Sequence, residues 1–486
     1  MSNANVSDAE QALRQYEAKL RTIPVGELDL AAIESEVRAL TEARGRELMA
    51  EALARADTTA PEVEINGVRW GNRRVLRGEY HTMFGVVPRD RSTYQRAGNG
   101  PIAVPLDLRL GIVEGRYTPK MARVLTRAIA VTTEQEGAEF LAELGTAVAS
   151  SSTLNRIPRA IAARYETRRS VIEVALRERE TVPDDAVTVQ VGLDGVMVPQ
   201  DGEHARPRGR KTDSPDPPRY ERRYGPVGAN APSANDGHTG RAWHEASVAT
   251  VAYFDAEGRR IRTVYVGRMP EPNKATLLEH LEGELLVALA QRPSLNVVFA
   301  SDGAPQHWVA LEAIDGRLPP TCTGDRMHVV DAFHVAQYIQ AAADAIEGAG
   351  APDAAVLSAT WREAVKEKAN GPDHVLRSMR ARRSAVASAG RRAELDDAIS
   401  YIANQHAQGR MNYAEARDKH YPIGTGITEA AGKTLVSTRM KRAGARFSQH
   451  GGQTILLFRA ALLSDRFEAL HAELHSSYTA RVKAAA

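Results

Sequence analysis

From residue 187 onward the chain alternates apolar runs of strand length with amphipathic stretches of helix length. No other feature narrows the available folds as much. AVTVQVGLDGVMV, WHEASVATVAYFD and RIRTVYVGRM read as three strands. KATLLEHLEGELLVAL then repeats its apolar residues at helical spacing, and LNVVFASDG is a further buried strand. HWVALEAI is a short helix, and MHVVDAFHVAQYI is a strand running into a helix. Three strands, helix, strand, helix, strand, helix predicts one α/β layer with helices packed on its sheet.

Two carboxylates interrupt these runs. Asp194 stands in VGLDGVMV and Asp302 in VVFASDGAP, each at a strand end among apolar neighbours. An unpaired charge in such surroundings costs several kcal/mol or more, so something must neutralise it. Structural ion pairs would do so, and so would one divalent cation shared by both. Mg2+ takes carboxylate oxygens together with water and phosphate oxygens. Two-metal phosphoryl-transfer sites use that chemistry to activate one oxygen and steady another. Gly195 beside Asp194 lets a group such as a phosphate approach closely. Asp331 and His334, in VVDAFHV, put an acid and an imidazole at the start of one helix, within reach of the site. A helix cap with a packed histidine fits them too. Asp325 and His328 repeat the spacing upstream, where Asp325 reads as a turn residue.

The order of elements is that of an RNase H-like fold. Residues 199–242 interrupt it between the first two strands, rich in Pro, Gly, Arg, Asp and Ser, and predict a flexible loop. Residues 340–415 read as wholly helical and form an insertion before a last helix, GITEAAGKTLVSTRMKR. Thr425 and Thr428 are its candidate caps. Two readings fit Glu429 on that helix: an i,i+4 surface partner of Lys433, or a third carboxylate facing the metal while Lys433 meets a phosphate. Gly424 and Gly426 read as a turn, and a lone Gly-x-Gly that could cradle a phosphate fits them less specifically.

The N-terminal part differs. Residues 5–23 and 27–56 have helical periodicity, broken by Pro24 and Gly26, and predict a hairpin. VEINGVRW, EYHTMFGVV and PIAVPLDLRL read as β-rich. TPKMARVLTRAIAV reads as a helix with Thr118 as N-cap and Pro119 in its first turn. EQEGAEFLAELG, a TAVA link and SSSTLNRIPRAIAARYE have the helix-turn-helix pattern, with Ser151, Ser152, Thr153, Asn155 and Arg156 at the second helix start. Pro158 removes a backbone donor there and predicts a bend or break. Residues 1–67 carry 13 acids and 7 bases, residues 69–130 carry 12 bases and 4 acids, and residues 430–486 carry 9 bases and 3 acids. Two basic blocks in a chain of formal net charge +2 fit either polyanion contact at separate places or solvated faces. The lone Cys322 excludes an internal disulfide and a cysteine zinc site. No apolar run approaches the roughly 18–20 residues of a membrane span, and the polar N-terminus lacks a signal-peptide core, so a cytoplasmic protein is expected.

LDGVMV, SDGAPQHW, VVDAFHVAQYI and PIGTGITEAAGKTLVSTRMKRAGARF, in this order around a helical insertion, resemble bacterial insertion-sequence DDE transposases allied to the Mutator-like superfamily. The resemblance spans roughly residues 80–470, and its last motif, through Arg459 and Arg466–Phe467, is the most specific. It implies an α/β RNase H-like catalytic core with an all-α insertion, plus N-terminal helical and small basic β/helical DNA-binding modules. The expected boundaries are 1–60 for the hairpin, 61–180 for the basic region, 181–339 for the core, 340–415 for the insertion and 416–486 for the last catalytic helix with a basic tail. Asp194, Asp302 and Glu429 are then the metal ligands, with Mg2+ or Mn2+, and Asp331 and His334 the family's Asp-x-x-His element. The partner is double-stranded DNA, at transposon ends and target. Arg89, Arg91, Arg96, Ser152, Asn155, Arg156, Lys433, Arg439, Lys441, Arg442 and Arg446 are its candidate contacts. Cleavage and strand transfer at terminal inverted repeats, a homo-oligomer on DNA and nucleoid association follow from the same resemblance. Many relatives carry a cysteine-rich element near the N-terminal module, and this chain has none. A catalytically silent DNA-binding protein and an RNase H-like nuclease that does not transpose remain as alternatives.

Overall fold

A computed structural model describes residues 7–96, 100–145, 149–201 and 241–485, and the chain divides into two units: residues 1–172 with 467–486, and residues 173–466. The fold is mixed α/β, with one sheet in each unit.

In the first unit α1 (Asp8–Leu20) and α2 (Leu30–Ala56) form the expected hairpin, their first turns capped by Ser7 and Asp29. An antiparallel sheet follows: β1 (Val63–Ile65), β2 (Val68–Thr82), β3 (Gly85–Gln95) and β4 (Ile102–Ala103). The last strand of the chain, β10 (Val482–Ala484), pairs with β1, giving the order β10-β1-β2-β3-β4. The segment expected to continue as β instead forms α3 (Pro105–Leu110), because Pro105 suits the first helical turn and Leu106 is buried. α4 (Pro119–Val131) starts where expected, but the Thr118 hydroxyl donates to the His81 carbonyl instead of capping. α5 (Glu134–Glu143) and α4 both pack on α6 (Ser151–Thr167). Pro158 sits inside α6 without ending it, since its ring is buried beside Leu154, Ile157 and Ile161 and tertiary packing outweighs the lost hydrogen bond. Most of the TAVA link, residues 146–148, lies outside the described residues. α18 (Phe467–Tyr478) belongs to this unit, where Glu468 pairs with Arg123. Residues 467–486 thus group with the N-terminal part, while seven of the nine bases of residues 430–486, Lys433 to Arg466, stay in the second unit.

After α7 (Arg169–Glu178), the second unit is built on β5 (Thr188–Asp201), β6 (Arg241–Phe254), β7 (Arg260–Arg268), β8 (Asn296–Ser301) and β9 (Arg326–Val330). Their order is β7-β6-β5-β8-β9, antiparallel over the first three and parallel over the last three. β5 and β6 reach to Asp201 and Arg241, so only residues 202–240 of the expected loop remain, and these lie outside the described residues. α8 (Ala275–Gln291), α9 (Pro305–Gly316) and α10 (Ala332–Glu347) are the helices between and after the strands. Val189, Val191 and Leu193 of β5 share one core with Leu277, Leu281, Phe299 and Trp308. The insertion is helical as expected: α11 (Pro352–Glu367), α12 (Gly371–Arg382), α13 (Ala389–Ala407) and α14 (Tyr413–Asp418). The last expected helix is divided into α15 (Gly426–Ala431), a π-helical turn (Gly432–Ser437) and α16 (Thr438–Met440), before α17 (Gln449–Leu463). No helix among the described residues is long and apolar enough to cross a membrane.

Candidate active site

β5 is the strand on which pairing switches from antiparallel to parallel, with β6 on one side and β8 on the other. β8 pairs Ala300 with Gly192 and ends at Ser301, so Asp302 leaves the sheet one step on, alongside Asp194. Asp194 and Asp302 are therefore brought together by strand register.

In each carboxylate one oxygen is hydrogen-bonded and the other is not. Asp194 Oδ1 accepts from the Gly195 N–H at 2.7 Å. Asp302 Oδ1 accepts from the Ala304 N–H at 3.0 Å and the Ser301 hydroxyl at 3.2 Å, with His307 Nδ1 at 3.5 Å. No hydrogen bond among the described residues reaches either Oδ2. Burial raises the Asp194 carboxyl above the usual range; the Gly195 N–H offsets part of this, and the neighbouring Asp302 and Glu429 charges push it further up. Burial pushes Asp302 up too, but His307 beside it and the hydrogen bonds from Ala304 and Ser301 outweigh it and hold that carboxyl down to about 2. Two neighbouring acids driven apart in this way mark a site where charge is managed.

The last helix lies along β5. The Gln190 side chain donates to the Gly424 carbonyl at 2.9 Å, Thr428 meets Thr250 at 2.7 Å above Gly192, and Gly432 packs on Val196 and Asp194. Four helical residues advance about 6.0 Å and two strand residues about 6.6 Å, so helix and strand stay in step. A Cβ on Gly192 would stand 2.0 Å from Thr428 Oγ1, so only glycine permits this approach. Glu429 comes close enough for its charge to act on Asp194. Its side chain is 53% exposed and pairs with Lys433 at 2.7 Å, the i,i+4 contact that the spacing allows. The π-helical turn that follows is held by Arg459, whose guanidinium donates to the Leu435 carbonyl at 3.0 Å and to the Thr434 carbonyl. Burial, with repulsion from Arg439, lowers Arg459 to about 10.

Asp331 is 2% exposed and both of its oxygens are taken. Oδ1 caps α10 through the Phe333 N–H at 2.5 Å and the His334 N–H at 3.4 Å; Oδ2 accepts from the Thr425 N–H at 2.8 Å and from the Thr425 hydroxyl. It ties α10 to the turn before α15, which is why Thr425 does not cap α15 with its side chain. His334 is half-buried on the first turn of α10, with Nδ1 enclosed and unpartnered. Asp325 pairs with Lys419 and His328 with Asp315, each at 3.0 Å.

Three groups at the site were not singled out by sequence: Ser301, His307 and Tyr401. The Tyr401 hydroxyl, from α13 of the insertion, donates to the Asp302 carbonyl at 3.0 Å and packs against Gly303, whose φ of +98° suits glycine. The ring stacks on Tyr338 at 3.8 Å. The insertion thus braces the turn that carries Asp302. The only sequence signal for His307 was its place five residues after Asp302.

Of the remaining candidate contacts in this unit, Lys433, Lys441, Arg442 and Arg446 are exposed and Arg439 is buried. In the first unit Arg96 and Ser152 are exposed, Arg89 is half-buried, and Arg156 is exposed with its guanidinium near the Tyr117 hydroxyl. Asn155 donates to Glu134 at 3.2 Å. Arg91 turns inward, pairing with Asp107 at 2.9 Å and donating to the Tyr80 hydroxyl and the Gly115 carbonyl, each at 3.1 Å. The exposed bases of the β2–β3 ribbon are instead Arg69, Arg73, Arg74 and Arg77, beside exposed Val75 and Leu76.

Among the described residues no group of three or more His, Cys, Asp or Glu is placed to hold an ion. Mg2+, however, ordinarily takes one or two carboxylates with water and phosphate oxygens completing its shell. Two carboxylates with an oxygen free of hydrogen bonds, Asp194 and Asp302, would fit that requirement, while Glu429 is engaged with Lys433.

No family model matches the chain, and no curated protein matches it. Among solved structures, one similar chain comes from the crystal structure of a pre-cleavage Mos1 transpososome, at 11% identity over 74% of this chain and 79% of that one. Its TM-score is 0.13, too low for the likeness to carry an argument.

Proposed function

We propose that the second unit is an RNase H-like core that cleaves and joins DNA strands in a metal-dependent reaction, as a DDE transposase. The observation that carries this reading is the pair Asp194 and Asp302: brought together by register, Asp194 within β5 just past its pairing with β8 and not at a strand end as expected, Asp302 just past the end of β8, each with one oxygen hydrogen-bonded and one not. The strand order, antiparallel over β7-β6-β5 and parallel over β5-β8-β9, supports the core assignment. Asp194 and Asp302 are the residues that would hold Mg2+ or Mn2+, which would supply Lewis-acid chemistry for phosphoryl transfer. Lys433, exposed beside its partner Glu429, would meet a backbone phosphate. Asp331 and Tyr401 keep the two carriers of the site, the turn before α15 and the turn after β8, in register. In the first unit, the exposed arginines of the β2–β3 ribbon offer charge to a DNA backbone.

The test uses the purified full chain on DNA carrying the terminal repeats that flank its gene. With Mg2+ or Mn2+, the wild type should nick the ends and join them to a target, while Asp194→Asn and Asp302→Asn bind DNA but lose nicking by at least about 100-fold. Nicking by both variants at the wild-type rate rules the assignment out. Nicking without joining favours a nuclease.

A second reading is a catalytically silent DNA-binding protein. The observation in its favour is Glu429, an exposed ion-pair partner of Lys433 and not a preformed third ligand. Repeat-specific binding with no metal-dependent cutting by the wild type decides for it.

A further inference from the structure

A carboxylate turns broadly about its last side-chain torsion, so an aspartate presents one chosen oxygen to a ligand only if its neighbours hold it. His307 is 2% exposed on the first turn of α9 and touches the acidic site from behind. Its Nδ1 lies 3.1 Å from Ser301 Oγ and 3.5 Å from Asp302 Oδ1. Ser301 is itself fully buried, with its Oγ 3.2 Å from Asp302 Oδ1 and 3.5 Å from the Leu193 carbonyl.

The proton positions follow from accounting for every donor. His307 Nε2 is enclosed and has no hydrogen-bond partner. An enclosed N–H left without an acceptor costs more than an enclosed lone pair, so the ring carries its proton on Nδ1 and leaves Nε2 bare. Nδ1–H then donates to Ser301 Oγ. The Ser301 hydroxyl, having accepted, donates onward, and the Asp302 carboxylate is both nearer and charged, so it is the better acceptor. The relay is one-way: His307 Nδ1–H to Ser301 Oγ, Ser301 Oγ–H to Asp302 Oδ1. Together with the Ala304 N–H, it places every donor on Oδ1 and none on Oδ2.

We propose that His307 is a positioning residue of the acidic site, acting through Ser301 to lock the Asp302 carboxylate so that Oδ2 faces the cation shared with Asp194. This rests on the reading of Asp194 and Asp302 as the cation-binding pair. His307 touches neither cation nor substrate; it acts by orientation.

The experiment measures Mn2+ binding to the full chain, without DNA, by the loss of the free-ion electron paramagnetic resonance signal. Asparagine can offer an N–H near the Nδ1 position and phenylalanine cannot. His307→Phe should raise the Mn2+ dissociation constant by about 10–100-fold, the usual effect of removing an outer-shell partner. His307→Asn should stay within about threefold of the wild type, a rescue that a purely space-filling role would not produce. Ser301→Ala breaks the same relay one bond nearer and should match His307→Phe, which keeps the test decisive if the phenylalanine variant does not fold. Wild-type affinity in both His307→Phe and Ser301→Ala, or equal weakening by Phe and Asn, overturns the proposal. If the wild type binds no more Mn2+ than Asp302→Asn, the reading of the aspartate pair fails, and the proposal falls with it.

Discussion

Replacing Arg466 by methionine tests the electrostatic framework beneath the sheet of the second unit. Arg466 is 6% exposed and reaches two carboxylates at once: Glu180 at 2.6 Å through two nitrogens, and Glu284 at 2.8 and 2.6 Å. Methionine keeps much of the volume and removes all four bonds. Glu180 keeps its pair with Arg262, but Glu284 keeps only His280 at 3.1 Å and Arg177 at 3.9 Å. Burial pushes Glu284 up, yet the bonds from Arg466 and then His280 hold it at about 2 instead of 4.5. At about 1.4 kcal/mol per tenfold change, that difference corresponds to about 3 kcal/mol. It agrees with the roughly 3–5 kcal/mol lost when one partner of a buried pair is removed.

Tryptophan fluorescence reads this directly, since Trp243, Trp308 and Trp361 belong to the second unit and only Trp70 to the first. At about 2 °C per kcal/mol for a unit this large, its unfolding temperature should fall by about 6 °C at neutral pH. The pH dependence has a definite sign. Glu284 is depressed, so its contribution is complete above 4.5 and is lost as pH falls toward about 2. Burial lowers His280, but Glu173 at 2.9 Å and Glu284 outweigh it and raise its pKa; its contribution is complete below 6.5 and is lost as pH rises through the raised value. The cluster is therefore strongest between about 4.5 and 6.5, and the gap between wild type and Arg466→Met should close below 4.5. A fall of less than about 1 °C at neutral pH, or a gap that widens as pH drops, refutes the argument.

In the first unit burial, with repulsion from Arg123, lowers His471 to about 3 while Thr126 Oγ1 sits 2.7 Å from its Nε2. Its contribution is complete above 6.5 and is lost progressively as pH falls toward 3, so His471→Gln should flatten the acid limb of unfolding monitored at Trp70. Gly192→Ala drives a methyl into Thr428 and should cost about 1–3 kcal/mol by overpacking and abolish nicking with DNA binding intact; a second change, Thr428→Ala, should restore part of both. Arg74→Ala and Arg77→Ala should each lower the salt dependence of DNA binding by about one unit of log–log slope. Arg91→Ala should instead lower the unfolding temperature of the first unit, because its charge is spent on Asp107.

Much of the second unit was legible in order and type. β5 to β9 and the helices between them announce themselves by apolar runs, because a strand covered on both faces needs nearly continuous apolar residues. Asp194 and Asp302 could be found for the same reason: each is a charge in a place that punishes charge. Other local readings were overridden. Leu106 and the neighbouring packing turned an expected strand into α3, and buried neighbours carried α6 through Pro158. Arg91 reads as one more base in a basic block until its partner Asp107, sixteen positions away, is brought beside it. Arg459 and Arg466, in the most specific motif, are framework groups whose partners lie 24 and more positions off.

What the sequence determined by itself was periodicity: which segments are strands or helices, and where a carboxylate interrupts an apolar run. These properties arise between residues a few positions apart. What only the tertiary structure decided was the site itself. Register set Asp302 beside Asp194, 108 positions away, and the missing Cβ of Gly192 let α15 settle on β5. The same packing consumed both oxygens of Asp331 and brought His307 and Tyr401 to the turn that carries Asp302. Hydrogen-bond partners across such separations leave no period in the chain, because they are fixed only when strands pair and helices dock.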